Sequence, residues 1–237
     1  MKMIQTVIML STIVAMMAGC ADEVTSGSAM SMPTNLTGDA ISVFIVYDGS
    51  GSMGDSVKNS KGERESKAAI ANRALIAVGN RLNSYLASNT NRTIGLGMVR
   101  IFEGRSSFTD FKVMKGSTEG FFSAWANKYC GEVAGGTPLG NAIRLAGENM
   151  AKIQGTQAKH ILILTDGMSN SGPSPDVVIP QLTKGFGVHL IAFDTKGGIF
   201  DNLKKNNVTV VEAADEKQLD SQFNFILNEK ILLERED

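Results

Sequence analysis

Ile41-Ser42-Val43-Phe44-Ile45-Val46-Tyr47 runs directly into Asp48-Gly49-Ser50-Gly51-Ser52. The first seven residues are β-branched or aromatic and nearly free of polar groups, the composition of a strand buried on both faces of a parallel sheet. One carboxylate, two hydroxyls and two glycines then cut the strand off. Side-chain oxygens at i, i+2 and i+4, on a backbone loosened by glycine, can turn toward a single point. An all-oxygen site of that kind suits a hard divalent cation such as Mg2+.

Outward from this stretch, strands and helices alternate. The apolar runs at 93–102, 160–165, 188–193 and 208–212 read as strands, and 107–114 as a shorter edge strand. Helical spacing of apolar residues marks 67–86, 119–129, 138–153, 175–184, 200–206 and 218–233, with Ser60-Lys61-Gly62-Glu63 as a capping box ahead of the first helix. Alternation of this kind predicts an α/β fold, a three-layer doubly wound sheet with helices on both faces. Ligands in such sheets bind beyond the carboxyl ends of the strands. Asp48 and Asp166 both stand at the carboxyl end of a predicted buried strand.

The ends of the chain carry different information. Met1-Lys2 is followed by an apolar run to residue 18 and then by small residues, the pattern of an export signal. Met17-Ala18-Gly19-Cys20 resembles the lipobox of bacterial lipoproteins, with Met where Leu is usual, and implies cleavage that leaves Cys20 as the lipidated first residue. Residues 1–19 are thus expected to be a signal peptide, 20–40 a lipidated Cys and polar tether, and 41–237 the domain. A coil of that tether's length would reach about 25 Å. The expected localisation is exported and lipid-anchored to the cell envelope. Hydrophobic content of 43%, charged content of 20% and a formal charge of −1 fit a globular domain and give no basic footprint for nucleic acid. Of the two cysteines, only Cys130 remains after Cys20, and a lone Cys beside an aromatic helix reads as a small buried hydrophobe.

Two further loops join the first: Gly135-Gly136-Thr137-Pro138 and Leu164-Thr165-Asp166-Gly167. Each has an ordinary structural explanation, Thr137 as a helix N-cap before proline and Asp166-Gly167 as a turn. Together, however, the three loops resemble the von Willebrand factor A family, over about residues 41–233. That family carries a metal-ion-dependent adhesion site made of an Asp-x-Ser-x-Ser loop, a distant Thr and a distant Asp, which fall here on Asp48, Ser50, Ser52, Thr137 and Asp166. The resemblance implies a mostly parallel six-stranded sheet of order 3-2-1-4-5-6 with one antiparallel edge strand. It implies Mg2+ as the cofactor, with Mn2+ or Ca2+ as alternatives. Contacts from the serines and sometimes the threonine leave such a cation electron-poor, so that a partner protein's Glu or Asp completes its shell.

Competing patterns at the same loop are weaker. Gly49–Gly54 fits G-x-G-x-x-G, the fingerprint of a nucleotide-dependent enzyme, but lacks the second strand and acidic residue about 20 positions on. A P-loop fails because Asp55 stands where its lysine belongs, and an EF-hand because Met53 and Asn59 occupy its glycine and glutamate positions. Neither His160 nor His189 falls at the rim, so no base serves a nucleophile, and no Cys/His cluster suits zinc. Phe121, Phe122 and Trp125 read as core, and the charged run 61–67 as a solvated first helical turn. The expected function is a membrane-tethered binding module rather than an enzyme. A structural subunit of the same fold, binding through a metal-independent surface, is the alternative.

Overall fold

Strand β1, Asp39–Asp48, runs through the middle of the molecule with every residue after Asp39 buried. Its side chains alternate between two cores, as the pleat requires. Ile41, Val43, Ile45 and Tyr47 enter one; Ala40, Phe44 and Val46 enter the other. A strand filled on both faces needs helices above and below it. The structure, a computed structural model, describes residues 35–116, 120–182, 184–195 and 198–232.

Along the chain β1 is followed by a hairpin of β2 (Ser56–Lys58) and β3 (Arg64–Ser66), then α1 (Lys67–Ser88), β4 (Arg92–Phe102), β5 (Arg105–Met114), α2 (Phe121–Tyr129) and α3 (Leu139–Ala151). The second half holds β6 (Ala158–Thr165), α4 (Pro175–Val178), β7 (Phe186–Phe193), α5 (Asp201–Lys204), β8 (Thr209–Ala213) and α6 (Glu216–Ile226). The main sheet has six strands in the order β5-β4-β1-β6-β7-β8. Numbered among themselves along the chain, these strands give 3-2-1-4-5-6, the expected order. All neighbours are parallel except β4 and β5, so β5 is the antiparallel edge. Helices α1, α2 and α6 cover the face that holds Leu75, Trp125 and Phe223; α3, α4 and α5 cover the face that holds Ile143, Val178 and Leu203. The direction of winding reverses between β1 and β6, and the rim beyond the carboxyl ends at such a reversal is where sheets of this kind bind ligands.

Three expectations are corrected. Residues 60–63 do not cap a helix; they form the turn of the β2–β3 hairpin, with Gly62 at φ 84° and Asn59 Oδ1 accepting the N–H groups of Lys61 and Glu63. The N-cap of α1 is Ser66, whose hydroxyl accepts from Ala69 N–H at 3.2 Å. Order also begins before Ile41: Leu36 is buried, its N–H donates to Gln154 O at 2.9 Å, and β1 starts at Asp39. The helix expected over 175–184 is one turn of α-helix followed by a 3-10 turn, because Pro180 has no N–H to continue it. The signal peptide, Cys20 and the tether up to residue 34 lie outside the described residues. Among those described, no helix is long and apolar enough to cross a membrane.

Candidate metal centre

Strands β1 and β6 are parallel neighbours with Tyr47 opposite Leu164, so their ends deliver Asp48 and Asp166 to one rim. Asp48 is fully buried. Its Oδ1 accepts from Ser50 N–H at 2.9 Å and its Oδ2 from the Thr165 hydroxyl at 2.6 Å. These bonds bend the chain after Asp48 so that the hydroxyls of Ser50 and Ser52 come within 3.2 Å of each other. The Ser52 hydroxyl donates in turn to Asp166 Oδ1 at 2.7 Å. Four of the five expected residues thereby join in one hydrogen-bonded chain.

Thr137 is buried, and backbone bonds stitch its loop to the other two. Gly51 N–H donates to Gly135 O at 2.9 Å, and Ala134 N–H to Gly49 O at 3.0 Å. On the other side Thr137 N–H donates to Asn170 Oδ1 at 2.7 Å, while Asn170 N–H donates to Thr137 O at 3.1 Å. The close approach needs glycine: Gly135 has φ 74°, and a Cβ there would sit 2.5 Å from Gly104 N. Thr137 is not the N-cap of α3, which begins at Leu139 after Pro138.

Three contributors escaped sequence reasoning. Thr165 locks Asp48, and Asn170 locks the Thr137 loop. Lys67 was expected in solvent as part of a charged run, yet it is 5% exposed, with its ammonium 2.9 Å from Asp166 Oδ2 and 3.2 Å from Asp194 Oδ2. The only signal for it was position, at the start of the helix that follows the serine loop. Met53 is fully buried in the core and does not flank the rim; Met168, just past Asp166-Gly167, is 60% exposed and does.

The electrostatics follow from these contacts. Burial pushes the Asp48 carboxyl up, against the bonds from Thr165 and Ser50. Burial alone would depress Lys67, but the bonds to Asp166 and Asp194 outweigh it and hold its ammonium above the usual lysine range. Asp48 has no ion-pair partner among the described residues: its carboxylate is held by neutral donors alone. A buried, unpaired carboxylate beside two hydroxyls is a donor set that a divalent hard cation fits. Among the described residues no group of three His, Cys, Asp or Glu is placed to hold a metal, so a cation at this rim would need the hydroxyls as ligands.

The remaining candidates fall elsewhere. His160 Nδ1 and His189 Nε2 are 3.1 Å apart on β6 and β7, away from the carboxyl rim, and burial followed by the neighbouring His160 pushes His189 down to about 3. Cys130 is buried, its thiol pushed up to about 12 by that burial, and its carbonyl accepts from the Tyr47 hydroxyl at 3.0 Å. Phe122 and Trp125 are core residues. The glycine loop leads into a 3-10 turn, Gly51–Gly54, and then the hairpin. No helix opens at the loop to receive a phosphate, which removes the physical basis of a dinucleotide site.

The architecture is that of von Willebrand factor type A domains. A von Willebrand factor type A protein from Catenulispora acidiphila superposes with a TM-score of 0.51 at 19% identity, covering 82% of this chain and 43% of that one. The PilB minor pilin from Streptococcus sanguinis gives a TM-score of 0.63 at 17% identity over 82% of this chain and 62% of the pilin. The vWF domain of the type V pili tip protein Mfa5 from Porphyromonas gingivalis gives 0.54 at 13% identity, over 85% of this chain and 99% of that domain. The chain thus spans about three fifths of the PilB pilin. No protein-family model and no curated protein matches the sequence.

Proposed function

We propose that this chain is an exported binding module of adhesion or assembly type, which engages a carboxylate of a partner protein through a divalent cation at the β1/β6 rim. The observation that carries the proposal is the hydrogen-bonded chain from Asp48 to Ser50 through the Ser50 N–H, and on through the Ser50 and Ser52 hydroxyls to Asp166, with Asp48 buried and held by neutral donors. Ser50, Ser52 and Thr137 would hold Mg2+, with Asp48 and Asp166 behind them. The cation supplies an electrophilic point that an external carboxylate can complete. The protein's own groups set the geometry: Thr165 and Ser50 N–H orient Asp48, Asp166 orients the Ser52 hydroxyl, and Asn170 fixes the loop of Thr137. Neutral hydroxyls facing the cation leave most of its charge for the partner. Exposed Met168 offers an apolar contact beside that point. Likeness to a minor pilin and a pilus tip domain supports an extracellular binding or assembly role, and tethering through Cys20 would hold the domain at a membrane surface.

The test is capture of partners from envelope extract in Mg2+, in EDTA, and with Ser50→Ala. A partner lost in both EDTA and the variant supports the proposal; one retained in all three moves binding to a metal-independent surface. For the anchor, Cys20→Ala is expected to shift the protein from the membrane to the soluble fraction, and unchanged fractionation contradicts lipidation.

A further inference from the structure

The first residue of a helix faces the positive end of the helix dipole, a poor place for a cation. Lys67 occupies it in α1 and is buried there. Its own helix gives it no stabilisation, and its ammonium reaches instead into the rim, to Asp166 and Asp194. The hairpin aims it: β2 and β3 carry the chain away from the serine loop and back, so that Lys67 N–H closes on Asp55 O at 2.9 Å, just beyond Ser52. Asp166 is therefore gripped at both oxygens, Oδ1 by the Ser52 hydroxyl and Oδ2 by Lys67. Departures from local preference of this kind concentrate at functional sites.

We infer that Lys67 is a positioning residue of the metal centre: it cancels the charge of Asp166 and locks that carboxylate with Oδ1 toward Ser52, so that the divalent cation is held loosely and stays strongly attractive to an external carboxylate. The inference rests on the metal-dependent binding proposed above. Asp48 and Asp166 together would neutralise a divalent ion; Lys67, in direct contact with Asp166, offsets that carboxylate, while Asp194, 42% exposed, is partly screened by water and offsets Lys67 only in part. Asp194, at the end of β7 with φ 51°, positions Lys67 and screens it.

Calorimetric titration of the full chain with MgCl2 alone tests this. Lys67→Gln keeps a donor for Asp166 but removes the charge, and is expected to tighten Mg2+ binding about tenfold, the scale of one screened unit charge acting on a divalent ion over several ångströms. Lys67→Arg retains the charge and is expected to stay within about twofold of wild type. A folded Lys67→Gln protein that binds Mg2+ as weakly as wild type, or more weakly, overturns the inference. Should Lys67→Gln not fold, Asp194→Asn decides, since Asn tolerates the left-handed backbone and the side chain is 42% exposed. With its screen removed Lys67 repels the cation more, and binding is expected to weaken about threefold; unchanged affinity overturns the inference. Absence of Mg2+ binding by wild type and every variant would overturn the metal reading itself, an outcome distinct from equal binding by all of them.

Discussion

At the residue scale the centre depends on Asp48, a carboxylate placed where water does not reach. Its identity and position were legible in the sequence, because a continuous apolar run marks a buried strand and the residue that ends it must lie at the rim. What held it was not legible: Thr165 looked like the last residue of a strand, and Lys67 looked like one charge among several in a solvated turn. Their roles arise from the pairing of β1 with β6 and from the hairpin's return, which no local pattern records. Burial raises the folded-state value of Asp48, so its ionisation weakens the metal-free fold as pH rises through that value, and the penalty vanishes below the ordinary carboxylate range. Asp48→Asn keeps an acceptor for Ser50 N–H, and Thr165 can then accept from the amide while donating to Gly167 O. The variant is expected to raise the metal-free Tm at pH 7 by about 2–4 °C, to lose that advantage below about pH 4, and to abolish any stabilisation by Mg2+. A lower metal-free Tm at pH 7 contradicts this account of Asp48.

At the element scale, the strands and long helices followed their patterns closely, since continuous burial and helical spacing are strong signals. The β2–β3 hairpin did not, because three-residue strands rich in charge carry neither period. That hairpin is tied to α1 and α6 by Arg73, which grips Glu65 through both terminal nitrogens and Glu216 through Nε at 2.9 Å. Glu65 is lowered by its bonds to Arg73; for Glu216, burial opposes the shift, but Arg73 and Ser60 N–H together bring it down. Both groups therefore add stability that is present above the ordinary glutamate range and lost as pH falls through their depressed values. Arg73→Met is expected to cost about 1–3 kcal/mol at pH 7 by leaving buried Glu216 without its cation, and less at pH 3.5. Urea unfolding at the two pH values checks this; a deficit that grows in acid contradicts it. Gly79, inside α1, offers a sharper test of packing. Gly→Ala in a helix interior ordinarily gains about 1 kcal/mol, but a Cβ here would lie 2.4 Å from Phe122 of α2. Gly79→Ala is expected to lose about 1–3 kcal/mol through overpacking, and a more stable variant would refute the tight α1–α2 contact.

At the scale of the whole molecule, the doubly wound order follows from right-handed crossovers between parallel strands, and it makes three loops, far apart in the chain, meet at the β1/β6 reversal. The sequence pattern located all three loops because each is small, polar and placed at a strand end. It missed the buried ion pair that links them to α1 and β7. The central claim is that the meeting point holds a divalent cation. Calorimetric titration of Mg2+ into the metal-free protein at pH 7, beside Ser50→Ala, tests it most directly. The account predicts a single site in the wild type and no binding in a Ser50→Ala protein of unchanged fold. Equal heats in the two proteins, or none in the wild type, would contradict it.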